Sequence, residues 1–137
     1  MRHEFVTLMP KKLQEDVLYI SIEYKTATHL CACGCGNKVM TSITPAGWTL
    51  SYNGDNVSLN PSIGSWNLPC KSHYWIRSGQ VVWAESWTEE QIVAVQKRDV
   101  VDRNRHYKNK KSEIESEQQS NTINQSFFSK FFHRFFI

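Results

Sequence analysis

The stretch His29-Leu-Cys-Ala-Cys-Gly-Cys-Gly-Asn37 places Cys31, Cys33 and Cys35 at alternate positions, three of the four cysteines in a chain of 137 residues. No other feature constrains the fold as tightly. Disulfides between neighbours are disfavoured, because cysteines two apart rarely reach bridge geometry. A metal ion has no such difficulty, since turns at Gly34 or Gly36 let alternate sulfurs converge on one point. The fourth cysteine stands in Leu68-Pro-Cys-Lys-Ser-His-Tyr-Trp75, where Cys70 and His73 have the C-x-x-H spacing of a second chelating half. Zn2+ prefers four ligands, with thiolate and imidazole as its usual donors. Cys31, Cys33, Cys35, Cys70 and His73, with His29 as a sixth candidate, exceed what one ion needs. One assignment uses Cys33, Cys35, Cys70 and His73; Cys31 in place of Cys33 gives another, and the sequence leaves both open. Four protein ligands close the coordination sphere, which makes the expected zinc site structural. The competing reading, thiols as buried small hydrophobes, suits one scattered cysteine better than three alternating with glycines.

The rest of the chain is organised around this cluster. The fold class expected is mainly β: a small zinc-stabilised β domain with a C-terminal helix and a disordered tail. Residues 17–24 alternate, with Leu18, Ile20, Ile22 and Tyr24 on one face, the pattern of a half-buried strand. Lys38–Ser42 and Trp48–Tyr52 read as further strands. Asn53-Gly54 signals a hairpin that returns through Val57 and Leu59, and Arg77-Ser-Gly-Gln80 signals another between Tyr74–Ile76 and Val81–Trp83. Six short strands over residues 1–86 make a thin core that a structural metal would help to hold.

Thr88-Glu-Glu-Gln91 is a capping-box pattern with acids in the first turn, and it predicts a helix within 87–102. Residues 103–126 are polar and poor in apolar side chains, which predicts a disordered linker. The end, 127–137, pairs phenylalanines at 127/128, 131/132 and 135/136, with Lys130, His133 and Arg134 between them. On a helix this makes a broad aromatic face with a cationic edge, suited to a membrane surface or to a partner's groove over 126–137.

Charge and hydropathy narrow the function classes. The formal net charge is +3, and the basic excess lies between Lys97 and Lys111, while residues 1–86 are nearly neutral. Nucleic-acid binding rests only on that basic run and ranks last. The sequence carries no apolar run of membrane-spanning length. The first residues lack the continuous apolar core of a signal peptide. The expected compartment is therefore cytoplasmic, where thiols stay reduced and metal binding is favoured over disulfides.

If the site does chemistry, groups other than the metal would carry it. Ser62, in Asn60-Pro-Ser-Ile-Gly64, and Ser72, in Lys71-Ser-His73, are loop serines near the expected metal. His29 and Glu23 would supply a base and its orienting carboxylate, the arrangement a serine nucleophile needs. Ser72 and His73 are poor partners for each other, because adjacent strand residues point to opposite faces. Ser72 is the preferred nucleophile, because metal ligands on either side would hold its loop rigid.

Taken together, EYxTAxHLCACGCG, GWTL, LNPSIGSW, PCKSHYWI and VVWA resemble a bacterial domain-of-unknown-function family encoded in ubiquitin-like conjugation operons. The resemblance covers about residues 1–85 and runs through Glu23, His29, Cys31, Cys33, Cys35, Ser62, Cys70, Ser72 and His73. It implies a zinc-binding accessory protein of a bacterial ubiquitin-like pathway, with the ubiquitin-like protein and its conjugation enzymes as partners. It also implies a peptidase role, processing or removing the ubiquitin-like protein; the competing class is a non-catalytic zinc module for protein–protein interaction. The helix and the phenylalanine-rich end fall outside the resemblance.

Overall fold

In a computed structural model, the backbone is described for residues 1–133 and the side chains for residues 1–122. Eight strands form two four-stranded sheets. The first holds β1 (Arg2–Phe5), β2 (Val17–Ser21), β3 (Thr26–Leu30) and β4 (Lys38–Ser42), hydrogen-bonded in that order. The second holds β5 (Thr49–Tyr52), β6 (Val57–Gly64), β7 (His73–Arg77) and β8 (Gln80–Trp83), also in sequence order. All pairings are antiparallel except β1 with β2. Leu18, Ile20, Ala27 and Val39 from the first sheet, with Cys31 just past the end of β3, meet Val57, Leu59, Ile63, Tyr74 and Ile76 from the second in one core. The expected small β domain is present, and Cys31 belongs to that core.

Turn chemistry places the hairpins. Between β7 and β8, Ser78 and Gly79 both take positive φ, 48° and 72°, the two-residue turn that matches strand twist. Between β5 and β6, the Asn53 side-chain carbonyl accepts from the N–H groups of Asp55 and Asn56, and Gly54 takes φ 101°.

The strand expected over 17–24 stops at Ser21. Lys25 turns the chain with φ 49°, and Ile22 and Tyr24 are 60% and 59% exposed. All five residues of β2 are buried: Leu18 and Ile20 face the core, while Tyr19 and Ser21 are met by the backbone of Gln14 and Thr7. The alternation of apolar residues over 17–24 thus runs through a turn at 22–25. β1 and β3 had no clear apolar period to announce them.

The C-terminal helix, α1 (Glu89–His133), begins as expected. Thr88 N–H donates to the Gln91 amide oxygen at 2.9 Å, and Gln91 N–H donates to the Thr88 hydroxyl at 3.3 Å. It does not stop near 102, however, and residues 103–126, expected as a disordered linker, continue it. No glycine or proline follows Gly79 in the sequence, so nothing in the backbone chemistry breaks the helix. The chain divides into two compact units, Met1–Val95 and Gln96–Ile137. The first contains both sheets and the start of α1, where Ile92 is buried between exposed neighbours. Among the described residues, no helix is long and apolar enough to cross a membrane. The aromatic-basic end over 127–137 lies outside the residues whose side chains are described.

Candidate functional site

β6 and β7 pair out of register in their middle. Leu59 faces Ile76 and Ile63 faces Tyr74, so Asn60, Pro61 and Ser62 stand opposite Trp75 alone. Pro61 has no N–H to give the ladder, and a bulge is where a sheet tolerates that loss. Bulges re-aim side chains, and this one brings the Ser62 hydroxyl to 2.9 Å from His73 Nε2. The other ring nitrogen, Nδ1, lies 3.2 Å from the Glu85 carbonyl oxygen. A carbonyl can only accept, so Nδ1 carries the proton and donates it to Glu85. Nε2 is then left as the acceptor for the serine O–H. The indole N–H of Trp48 donates to the Ser62 carbonyl at 3.4 Å and ties down the same bulge.

Three tryptophans surround the imidazole. The ring centroids of Trp87, Trp66 and Trp75 lie 4.6, 5.0 and 5.8 Å from that of His73. Trp66 and Trp87 stack on each other at 5.2 Å and 16°. Trp66 also lies over the α-carbon of Gly64, where a Cβ would collide with its indole ring. Glycine at 64 is therefore a condition of close approach. His73 is only 6% exposed, so its ring is held by apolar walls on several sides.

The four thiols form a second cluster. Cys31, Cys33 and Cys35 come from the connection between β3 and β4, and Cys70 from the connection between β6 and β7. Gly34 and Gly36 take φ 82° and 75°, conformations that let the alternate sulfurs turn inward. All four sulfurs lie within 4.8 Å of one another. Cys31 is 3.4 Å from Cys33 and 3.8 Å from Cys70, and Cys35 is 3.7 Å from Cys70. Four sulfurs at about 2.3 Å from a tetrahedral ion would stand about 3.8 Å apart, so this donor set fits one. Hydrogen bonding from Ser72 holds the Cys33 thiol down to about 6 and lowers that of Cys70, while burial pushes Cys31 up to about 11. Such a metal would staple the two sheets together. It would also anchor the β6–β7 connection, whose two flanking strands carry Ser62 and His73.

The sequence-predicted residues divide accordingly. Cys31, Cys33, Cys35 and Cys70 converge, so both Cys31 and Cys33 join the cluster. His73 does not join it, although its C-x-x-H spacing from Cys70 suggested a ligand. Lys71 takes φ 44° and turns the chain between them, and the imidazole is engaged by Ser62 and Glu85. Ser72 is buried beside the thiols and favours the thiolate forms of Cys33 and Cys70. His29, expected as the base, is fully buried, with Nε2 at 2.8 Å from the Tyr74 hydroxyl. Burial alone lowers its pKa to about 4. Glu23 is exposed in the turn after β2. Thus Ser62 has an imidazole within hydrogen-bond reach, and it is that of His73. Glu85 and the three tryptophans were not singled out from the sequence; the only hint was the density of tryptophan between 66 and 87.

A family model described as BubE, bacterial ubiquitination-like system serine protease, matches residues 5–84. The matched segment contains all four thiols, Ser62 and His73, and ends one residue before Glu85. No curated protein and no solved structure matches the chain.

Proposed function

This chain belongs to the BubE family, described as the serine protease of bacterial ubiquitination-like systems, and from that premise we propose that it is a serine-type peptidase. Its nucleophile is Ser62, its general base is His73, and its substrate is the C-terminal region of a ubiquitin-like protein. The observation that carries this reading is the 2.9 Å approach of the Ser62 hydroxyl to His73 Nε2, with Nδ1 held by the Glu85 carbonyl.

In the reaction, Ser62 Oγ attacks the carbonyl carbon of the scissile bond while its proton passes to Nε2. The imidazolium then gives that proton to the leaving group, and Ser62 remains as the acyl ester. Water, deprotonated by the same Nε2, attacks the ester and releases the acid, and the proton returns to Ser62. A backbone carbonyl orients the base here in place of a carboxylate. It selects the tautomer by the same hydrogen bond but places no full charge beside the imidazolium. The tryptophan walls limit water around the base, which strengthens each hydrogen bond made there.

The metal we assign to the four thiols is zinc, bound by a closed set of protein ligands and therefore structural. Its contribution is to hold the β6–β7 connection, and no step of the reaction uses it. The partners proposed are the ubiquitin-like protein and its conjugation enzymes, and the compartment is the cytoplasm.

The test is cleavage of the cognate ubiquitin-like protein bearing a C-terminal extension, followed by mass spectrometry. Wild type should cut at one bond, and Ser62→Ala and His73→Ala should lose orders of magnitude in rate with folding intact. Ser72→Ala should keep cutting if its metal content is retained. Full activity in Ser62→Ala would remove this serine from the mechanism. No cleavage by wild type would leave a non-catalytic zinc module, which the closed four-thiol cluster favours as the second reading.

A further inference from the structure

The base does not stand alone on its strand. β7 alternates strictly, with Tyr74 and Ile76 fully buried in the core and His73, Trp75 and Arg77 on the opposite face. These three side chains form a continuous line. His73 and Trp75 are 5.8 Å apart between ring centroids at an interplanar angle of 34°. The Arg77 guanidinium carbon lies 4.6 Å from the Trp75 ring centroid. Val82, opposite Trp75 on β8, flanks the line and is 37% exposed. The line begins at the proposed catalytic pair and ends, four residues along the strand, at a cation about 13 Å away.

Arg77 is an exposed guanidinium, and no ion pair among the described residues involves it. Its one described side-chain contact is the indole ring of Trp75, which supports the planar group on one face while the residue stays exposed. A guanidinium fixed in this way is preorganised for a carboxylate, which it can meet with two parallel hydrogen bonds. The indole and Val82 offer apolar support to the chain between that carboxylate and the reacting bond.

We propose that Trp75 and Arg77 form a substrate-recognition rail. On this view, the polypeptide cleaved at Ser62 carries a carboxylate about four residues from the scissile bond. An extended peptide has the same rise per residue as β7, so a chain lying along the rail with its scissile carbonyl at Ser62 brings that residue to Arg77. The carboxylate is either an Asp or Glu side chain or the free C-terminus of a short extension. The inference rests on the peptidase reading for the position of the bond, and on the β7 face alone for the binding.

The experiment separates the two. Full-length Ser62→Ala protein is titrated with fluorescent neutral peptides of about twelve residues in which a single Glu is moved one position at a time. A second arm uses peptides ending in a free or an amidated carboxyl group. Binding should peak at one register and weaken about fivefold when Glu becomes Gln, the effect of one exposed ion pair. Arg77→Gln should abolish the preference, and Arg77→Glu should reverse it in favour of Lys. Wild type should cut the best-binding peptide about four residues from its carboxylate. Binding that ignores charge, or no peptide binding at all, overturns the rail, and so does cleavage adjacent to the carboxylate. Fluorophosphonate labelling of wild-type Ser62 reads the Ser–His pair independently. Charge-dependent binding without labelling or cleavage would keep the rail and remove the peptidase.

Discussion

Replacing His29 tests whether this histidine is a buried neutral residue or an acid–base group. Its side chain is fully buried, its Nε2 is engaged by the Tyr74 hydroxyl and its Nδ1 has no partner. Burial lowers its pKa from 6.5 to about 4. At pH above 6.5 the imidazole is neutral in both folded and unfolded chains and adds no pH dependence. As pH falls below 6.5 the unfolded chain takes up a proton that the folded protein refuses, so stability declines, and the decline ends near pH 4. One pKa unit is worth about 1.4 kcal/mol, so the loss approaches about 3 kcal/mol in full and about 2 kcal/mol between pH 7 and pH 5. The assay is urea unfolding of wild type and His29→Gln at pH 7 and pH 5. Thiol protonation and metal release also weaken the protein in acid, but they act on both proteins, so the difference between the two losses isolates His29. The variant should lose about 2 kcal/mol less than wild type over this interval. Equal losses would mean that His29 titrates normally, and the argument for its exclusion from catalysis would fail.

Cys70→Ser should lower bound zinc from one equivalent to a small fraction by elemental analysis. It should also lower the melting temperature sharply, because a structural metal contributes folding free energy directly. Gly64→Ala should cost about 1–3 kcal/mol in denaturant unfolding, because Trp66 cannot yield without breaking its stack on Trp87. Glu85→Ala should keep cleavage within about threefold of wild type, since the carbonyl that holds Nδ1 is retained; a loss of about a hundredfold would show that the carboxylate participates. Ending the chain after Val95 should leave the melting of the β domain close to that of the full chain, because its core residues all precede that point.

What could be read from the sequence was whatever local chemistry decides. The capping box at Thr88 and the hairpins at Asn53-Gly54 and Ser78-Gly79 depend on a few adjacent residues, and each forms where the sequence predicts it. The thiol cluster was legible for the same reason, since three alternate cysteines with glycines admit few other arrangements. The end of α1 was not legible from composition, because a polar stretch without glycine or proline contains nothing that stops a helix. The partners of Ser62 were not legible either. They depend on a register shift between β6 and β7, and a non-local pairing leaves little trace in a pattern of alternating residues.

His73 shows how one short segment serves two clusters of side chains. Spacing alone makes Cys70-Lys-Ser-His73 a chelating half, and that inference assumes all four residues stay in one turn. Instead, Lys71 takes a left-handed conformation, and His73 becomes the first residue of β7, with its side chain on the outer face of the second sheet. Cys70 stays with the thiols, Ser72 lies beside them, and His73 faces Ser62. Four consecutive residues thus hold a sulfur of the thiol cluster at one end and the imidazole that faces Ser62 at the other. A metal that held Cys70 would restrain the chain three residues before the imidazole, which the first residue of β7 carries. Chelation should therefore slow fluorophosphonate labelling of Ser62 at a temperature where the circular dichroism of the β domain is unchanged. Labelling at the wild-type rate in metal-free, folded protein would show that the thiol cluster and the Ser–His pair are independent.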